Sequence, residues 1–366
     1  MNQYFATLLT AFLASTVIFP VLIKTLIFKQ LVDMPGGRKI HTSRTPHLGG
    51  FAISTGVGLS LLIWTSANEF LELRYVFIGL MIMFLFGLKD DMKPMHSIQK
   101  LFGQFVAGAL LFWSFNLRLD SFYDIVSFPS FPLWISFLVT VFTVIVITNA
   151  YNLLDGIDGL AGSIGLIILL FYGSWFALVG HFLGIICFAF VGAIVAFLRF
   201  NWTPARIFMG DSGSMLIGFF IAICTVNFIN LNHNLADSSL YKFQSSVGSA
   251  LLILLILLFD TARIFTLRIL SGRSPFTPDN KHLHHILLKS VSSHSKVSLI
   301  LMVINLMLIG MALLLMNSGG AAVLSVVAMC AAVGLFSVTL FHKKSSAPGH
   351  KPYSPQSRPV LLKKTA

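Results

Sequence analysis

The chain has 366 residues, of which 56% are hydrophobic and only 10% charged, with a mean hydropathy of +0.86 and a formal net charge of +12. A soluble domain carries about 25% charged residues, so a soluble fold is excluded and a polytopic membrane protein is indicated. The positive surplus fits loops facing anionic lipid headgroups, and no nucleic-acid partner is expected.

A hydrocarbon core about 30 Å thick needs about 20 apolar helical residues per crossing. About eleven runs qualify, over residues 4–27, 48–66, 75–88, 101–117, 132–150, 160–178, 182–199, 213–231, 247–269, 297–316 and 320–341. The third is short and extends into its flanks. The first lacks a basic start and a small-residue cleavage site, and reads as a retained helix rather than a signal. Continuous apolarity argues against an alternating barrel, whereas a helix satisfies its own backbone polar groups in lipid.

Of the 25 Lys and Arg residues, all but Arg74, Arg118 and Lys242 fall in one set of connections and in the tail. The positive-inside rule makes that set cytoplasmic. With an odd number of spans, the N-terminus lies outside and the C-terminus inside. The expected fold is all-α, with about eleven transmembrane helices in an integral-membrane domain over 1–341 and a basic tail, disordered by composition, over 342–366. Cys187, Cys224 and Cys330 sit within apolar runs without metal spacing and read as packing residues.

Eight of the 13 acidic residues, Asp33, Asp90, Asp91, Asp155, Asp158, Asp211, Asp260 and Asp279, stand at ends of apolar runs on that same side. A carboxylate is expensive near a bilayer and is a functional candidate by default. Glu69, Glu72, Asp120, Asp124 and Asp237 read as ordinary polar connections. In chain order, the first loop sets Arg38, Lys39 and His41 among glycines, a composition that suits an anion. A plain cytoplasmic loop has the same look. The third run ends in Asp90-Asp91, with Lys100 opening the next helix. Adjacent carboxylates repel, so such a pair faces a cation or shares a proton, unless it is a solvated turn.

The most specific stretch is Asn149-Ala150-Tyr151-Asn152-Leu153-Leu154-Asp155-Gly156-Ile157-Asp158-Gly159. Asn149, Asn152 and, if the helix continues, Asp155 recur every three residues and share one face. Oxygen ligands of this kind suit Mg²⁺. The ligand spacing and bidentate Glu of an EF-hand are absent. Phe208-Met209-Gly210-Asp211-Ser212-Gly213-Ser214 then opens a helix whose free N–H groups suit phosphate, with Asp211 available to a metal. A helix N-cap explains Asp211 or Ser212 but not the glycines. Asp260 and Arg263 are spaced for a helical ion pair, structural or catalytic. Finally, Asp279-Asn280-Lys281-His282-Leu283-His284-His285 crowds three histidines into four positions, too cramped for zinc and better suited to phosphate or sugar.

Together these motifs, in this order over residues 30–290, resemble the polyprenyl-phosphate N-acetylhexosamine-1-phosphate transferases, specifically the undecaprenyl-phosphate GlcNAc-1-phosphate transferase (WecA-type) branch. The resemblance implies ten or eleven helices and Mg²⁺ as cofactor, with Mn²⁺ as the alternative ion. It also implies transfer of a sugar 1-phosphate from a UDP-sugar to undecaprenyl phosphate in the bacterial cytoplasmic membrane, with release of UMP. By motif, Asn152 and Asp211 match metal-binding positions, Phe208 an aromatic stacked on uracil, and Asp158 a contact to the uracil edge. Asp90 and Asp91 match the acidic pair read either as base or as organiser of the phosphate site, and Lys100 a lysine near the diphosphate. Asp155, Asp260, Arg263, His282, His284 and His285 complete the candidate catalytic set, and Arg38, Lys39, His41, Asn149 and Asp279 the substrate-binding one. The His-Leu-His-His form is similar to the simple-sugar branch. Membrane lipids are expected partners, and a homodimer is expected by analogy. A secondary transporter, with acids near the bilayer midplane on broken helices, is the rival reading from another class.

Overall fold

The computed structural model describes residues 2–30, 45–114, 117–123, 130–272 and 282–345. Within them all regular structure is helical apart from an isolated bridge at Thr45. The chain opens with α1 (Asn2–Phe28), α2 (Gly49–Trp64), α3 (Ala67–Met92) and α4 (Ser97–Ser114). The central helices are α5 (Leu133–Leu154), α6 (Leu160–Leu178), α7 (Leu183–Asn201) and α8 (Gly210–Asn234). After them come α9 (Ser246–Ile253), α10 (Leu255–Leu270), α11 (Leu283–Val291), α12 (His294–Leu314) and α13 (Gly320–Ser345).

Each of the eleven apolar runs contains helix, but among the described residues seven helices are long and apolar enough to cross a membrane, or eight if α9 and α10 form one broken span. Helix α2 has 16 residues and the described apolar part of α13 ends at Leu335, both short of that length. Helix α4 carries Gln99, Lys100 and Gln104 and is not among the seven. The short third run is the visible part of a 26-residue helix. Its start is hidden by Glu69 and Glu72, which lie on α3 and not in a loop. Ser66 and Glu69 form a reciprocal capping box there, satisfying the first free amides. The ninth run is continuous in sequence and broken in space, the axes of α9 and α10 diverging by 77°.

Helix α8 is the axis of the bundle: 83% of its apolar window is buried, against 22% for α1. It packs on α2, α3, α5, α6 and α9. Its small residues permit this, because Gly213 lies against the backbone of Gly50 and Gly218 against Thr148 and Tyr151. The thiols of Cys187 and Cys224 are buried where α7 meets α8, as packing residues. The ends of α3, α5 and α7 and the starts of α4, α6 and α8 converge at one end of the bundle.

Candidate active site

The segment before α2 lies along the segment before α8. Phe208 N–H donates to Pro46 O at 2.8 Å, and Gly49 and Gly50 N–H return to Phe208 and Met209 carbonyls at 2.9 and 2.8 Å. These bonds aim the first turn of α8 at the end of α3. Gly210 adopts φ +73°, and a Cβ there would overlap His47 O and come within 2.7 Å of the Asp91 carboxylate. Only glycine suits that position.

The adjacent acids of the third motif face different partners. Asp91 accepts the N–H groups of Asp211 at 2.7 Å and Ser212 at 3.0 Å. Its own carbonyl receives His47 Nε2 at 2.8 Å. Asp90 accepts Met95 N–H at 2.6 Å through Oδ1 and the Lys100 ammonium at 2.7 Å through Oδ2. Lys100 also bridges to Asp211 Oδ2. The expectation that the first turn of α8 offers free amides to phosphate is therefore corrected. Asp91 takes two of them, so a protein carboxylate already uses the positive end of the helix.

The face shared by Asn149 and Asn152 stands as expected, but Asp155 leaves it. Helix α5 ends at Leu154, and Asp155 is the C-cap, with ψ of 62°. Asn152 Nδ2 lies 3.2 Å from Asp211 Oδ1 and 2.7 Å from Ser214 Oγ. Asn149 exchanges amide hydrogen bonds with Gln104. Gln104, buried one turn beyond Lys100, was missed by sequence reasoning; the signal was a glutamine inside an apolar run. The Asp155 carboxyl is turned inward, and its burial, with the nearby charges of Asp211 and Asp91, pushes its pKa up to about 7.

A second group adjoins the first. Asp260 Oδ1 accepts Arg263 at 2.8 Å and Leu283 N–H at 2.9 Å, while Oδ2 meets His282 Nδ1 at 2.9 Å. All three side chains are buried. His284 lies parallel to His282, at 5.7 Å, and its ring presses on the Gly156 backbone, next to Asp155. Burial and the neighbouring His285 push its pKa down to about 3, so it is neutral at pH 7. His285 packs against it at 4.3 Å.

Asp158 is 5% exposed, accepting Ala205 N–H at 3.1 Å and facing His294 Nδ1 at 3.4 Å. With Asn201, which holds Gly159 N–H and Ile207 O, it ties the α5–α6 turn to the segment leading to Phe208. Phe208 itself is half-buried. His294 and Asn201 carried no sequence signal, since their partners are 136 and 42 residues away. Arg38, Lys39, His41 and Asp279 lie outside the described residues.

Among the described residues no three His, Cys, Asp or Glu side chains form a metal cage. A cation here would rely on few protein ligands, as Mg²⁺ does when phosphate oxygens complete its shell. Asn152 and Asp211 fit that role. Turning the Asn152 amide sets its oxygen 3.2 Å from Asp211 Oδ1, close to the edge of about 2.9 Å in an Mg²⁺ octahedron.

The family described as Glycosyl transferase family 4 matches residues 73–229, which carry the Asp90-Asp91, Asn152 and Asp211 motifs. A probable undecaprenyl-phosphate N-acetylglucosaminyl 1-phosphate transferase of Bacillus subtilis (strain 168) is 30% identical over 322 residues, covering 83% of this chain and 84% of that protein. An undecaprenyl-phosphate alpha-N-acetylglucosaminyl 1-phosphate transferase of Yersinia pestis is 29% identical over 301 residues, 77% of this chain and 76% of its own. A decaprenyl-phosphate N-acetylglucosaminephosphotransferase of Mycobacterium tuberculosis (strain ATCC 25618 / H37Rv) is 34% identical over 119 residues, 32% of this chain and 30% of its own.

Proposed function

The chain belongs to the polyprenyl-phosphate N-acetylhexosamine-1-phosphate transferase superfamily, in its undecaprenyl-phosphate GlcNAc-1-phosphate transferase branch, and on that premise we propose that it transfers GlcNAc 1-phosphate from UDP-GlcNAc to undecaprenyl phosphate at the cytoplasmic face of a bacterial inner membrane. An oxygen of the lipid phosphate attacks the β-phosphorus of the donor. The bond from that phosphorus to the bridging oxygen breaks, and UMP leaves. One diphosphate linkage replaces another, so the reaction runs near equilibrium.

The observation that carries this reading is the Asp90–Lys100–Asp211–Asn152 chain of contacts at converging helix ends, charged for a diphosphate and its cation. Phosphoryl transfer asks the protein mainly for positioning and charge neutralisation. Mg²⁺, when bound, would be held by Asn152 and Asp211 and would neutralise the diphosphate. Lys100 supplies a fixed positive charge beside it. Asp90 and Asp91 have their oxygens committed to Lys100 and to backbone amides, which favours organisers over a base. The acceptor needs little help, because a phosphate monoester has its second pKa near 6 and is largely dianionic at pH 7. Phe208 would stack on uracil, with Asp158 shaping that pocket through Ala205.

The acceptor's chain would lie in an apolar cavity of about 540 Å³ between α5, α8 and the α9–α10 bend, which also reaches Leu119, Phe122 and Phe131 of the α4–α5 connection. Val146 and Ile147 line it three and two residues before Asn149, and Leu258 lines it two residues before Asp260.

Purified protein with undecaprenyl phosphate and a panel of UDP-sugars tests the proposal, with UMP and lipid-linked product recorded in Mg²⁺ or EDTA. Mg²⁺-dependent product from UDP-GlcNAc is expected. Product only from UDP-GalNAc or a rarer amino sugar keeps the reaction and changes the donor. No turnover by folded protein with any donor returns the transporter reading.

A further inference from the structure

The bend between α9 and α10 has no local cause. Residues 251–259, Leu-Leu-Ile-Leu-Leu-Ile-Leu-Leu-Phe, hold neither proline nor glycine, and sharp kinks otherwise need an inserted side chain or water. Yet the chain turns by 77° about Leu254. In an unbroken helix the carbonyl of Ile253 accepts the amide of Leu257. Here it receives Nδ2 of Asn305, on α12, at 3.1 Å.

Asn305 is fully buried and is the only polar side chain between Leu299 and Leu314. A buried amide in an apolar span is costly unless it is hydrogen-bonded. A carbonyl freed by a helix break is costly in lipid for the same reason. The Asn305 Nδ2 donor and the freed Ile253 carbonyl therefore answer each other's need, while Asn305 Oδ1 stays buried without a hydrogen-bond partner. The flipped amide would set two oxygens together, so the donor orientation follows from the contact.

We propose that Asn305 is a positioning residue that latches the bend. The bend then does two things for the site. It directs α10, with Asp260 and Arg263, against His282 at the N-cap of α11. It also opens an apolar cavity on each flank, one lined by Leu251, Leu254 and Leu258 and the other by Leu255, Ile256 and Phe259. The kinetic consequence rests on the reading that the acceptor's chain lies against this bend; the structural consequence does not.

Spin labels at Gln244→Cys and Leu270→Cys, both exposed positions, in a Cys330→Ser background read the geometry by pulsed electron–electron distance measurement. Helices of 8 and 16 residues are about 12 and 24 Å long, so their far ends stand about 29 Å apart when bent and about 36 Å apart when collinear. Asn305→Leu, which removes the donor while keeping the side chain's branching and heavy-atom count, is expected to lengthen the distance by several Å. It should also raise KM for undecaprenyl phosphate about tenfold while leaving KM for the UDP-sugar unchanged. Asn305→Gln keeps a donor and should restore both. Asn305→Ser, too short to reach Ile253, is the milder removal should the leucine variant fail to fold. A wild-type distance distribution in the donor-less variants overturns the latch, whatever the activity. A lengthened distance with an unmoved acceptor KM supports the latch and overturns the acceptor's placement at the bend.

Discussion

Both oxygens of Asp91 accept backbone amides of α8, whereas those of Asp90 take the amide of Met95 and the ammonium of Lys100. The two carboxylates therefore act on different things: Asp91 sets where Asp211 stands, and Asp90 sets where Lys100 stands. In Asp91→Asn one acceptor becomes an NH₂ group facing an N–H, at a loss of about 2 kcal/mol for a charge-assisted bond. Mn²⁺ binding followed by electron paramagnetic resonance, beside Mg²⁺ activation curves, should show an affinity loss of about tenfold or more in Asp91→Asn. Asp90→Asn should lower kcat with a smaller change in metal affinity; the reverse order would refute this division. Asp155 yields a pH prediction. Its folded pKa of about 7 lies above the unfolded value near 3.8, so between these values the unfolded state binds fewer protons and stability falls as pH rises. Thermal unfolding in EDTA from pH 4.5 to 8 should show that fall in the wild-type protein and a flatter curve in Asp155→Asn. Parallel curves would show that Asp155 ionises normally.

At the scale of elements, helix existence follows from apolar runs, because lipid leaves the backbone no other partner than itself. Helix ends are less legible. The expected face of Asn149, Asn152 and Asp155 needed α5 to continue one more residue, and it stops at Leu154, where Asp155 takes a non-helical ψ of 62° as the C-cap. The start of α3 was hidden because Glu69 looks like a loop residue until its capping box with Ser66 is seen. The break at Leu254 is the extreme case, since every residue around it favours helix and the partner that stabilises the break is Asn305, 52 positions away. Glycines mark the closest helix contacts in retrospect. Gly87 approaches the backbone of Asp211 and Ser212, and no residue with a Cβ fits there without moving α3 off α8.

At the scale of the molecule, the described motif acids Asp90, Asp91, Asp155, Asp158, Asp211 and Asp260 gather with the convergent helix ends at one end of the bundle. Topology is open to a direct test. With Cys330→Ser as background, Leu240→Cys should react with an impermeant maleimide in intact cells, and Leu270→Cys only after permeabilisation. The opposite pattern would invert the orientation and place the site outside. The amino-acid sequence by itself determined the membrane class, the helical runs and the motif residues, since hydropathy and the cost of charge near lipid act on each residue alone. It also carried the family resemblance. Only the tertiary structure decided that Asp91 caps α8, that Lys100 joins Asp90 to Asp211, that Asp260 holds His282, and that α9 and α10 part company. Those arrangements depend on hydrogen bonds between residues tens to hundreds of positions apart, and the identity of a polar group says what it needs without saying which distant partner will meet it.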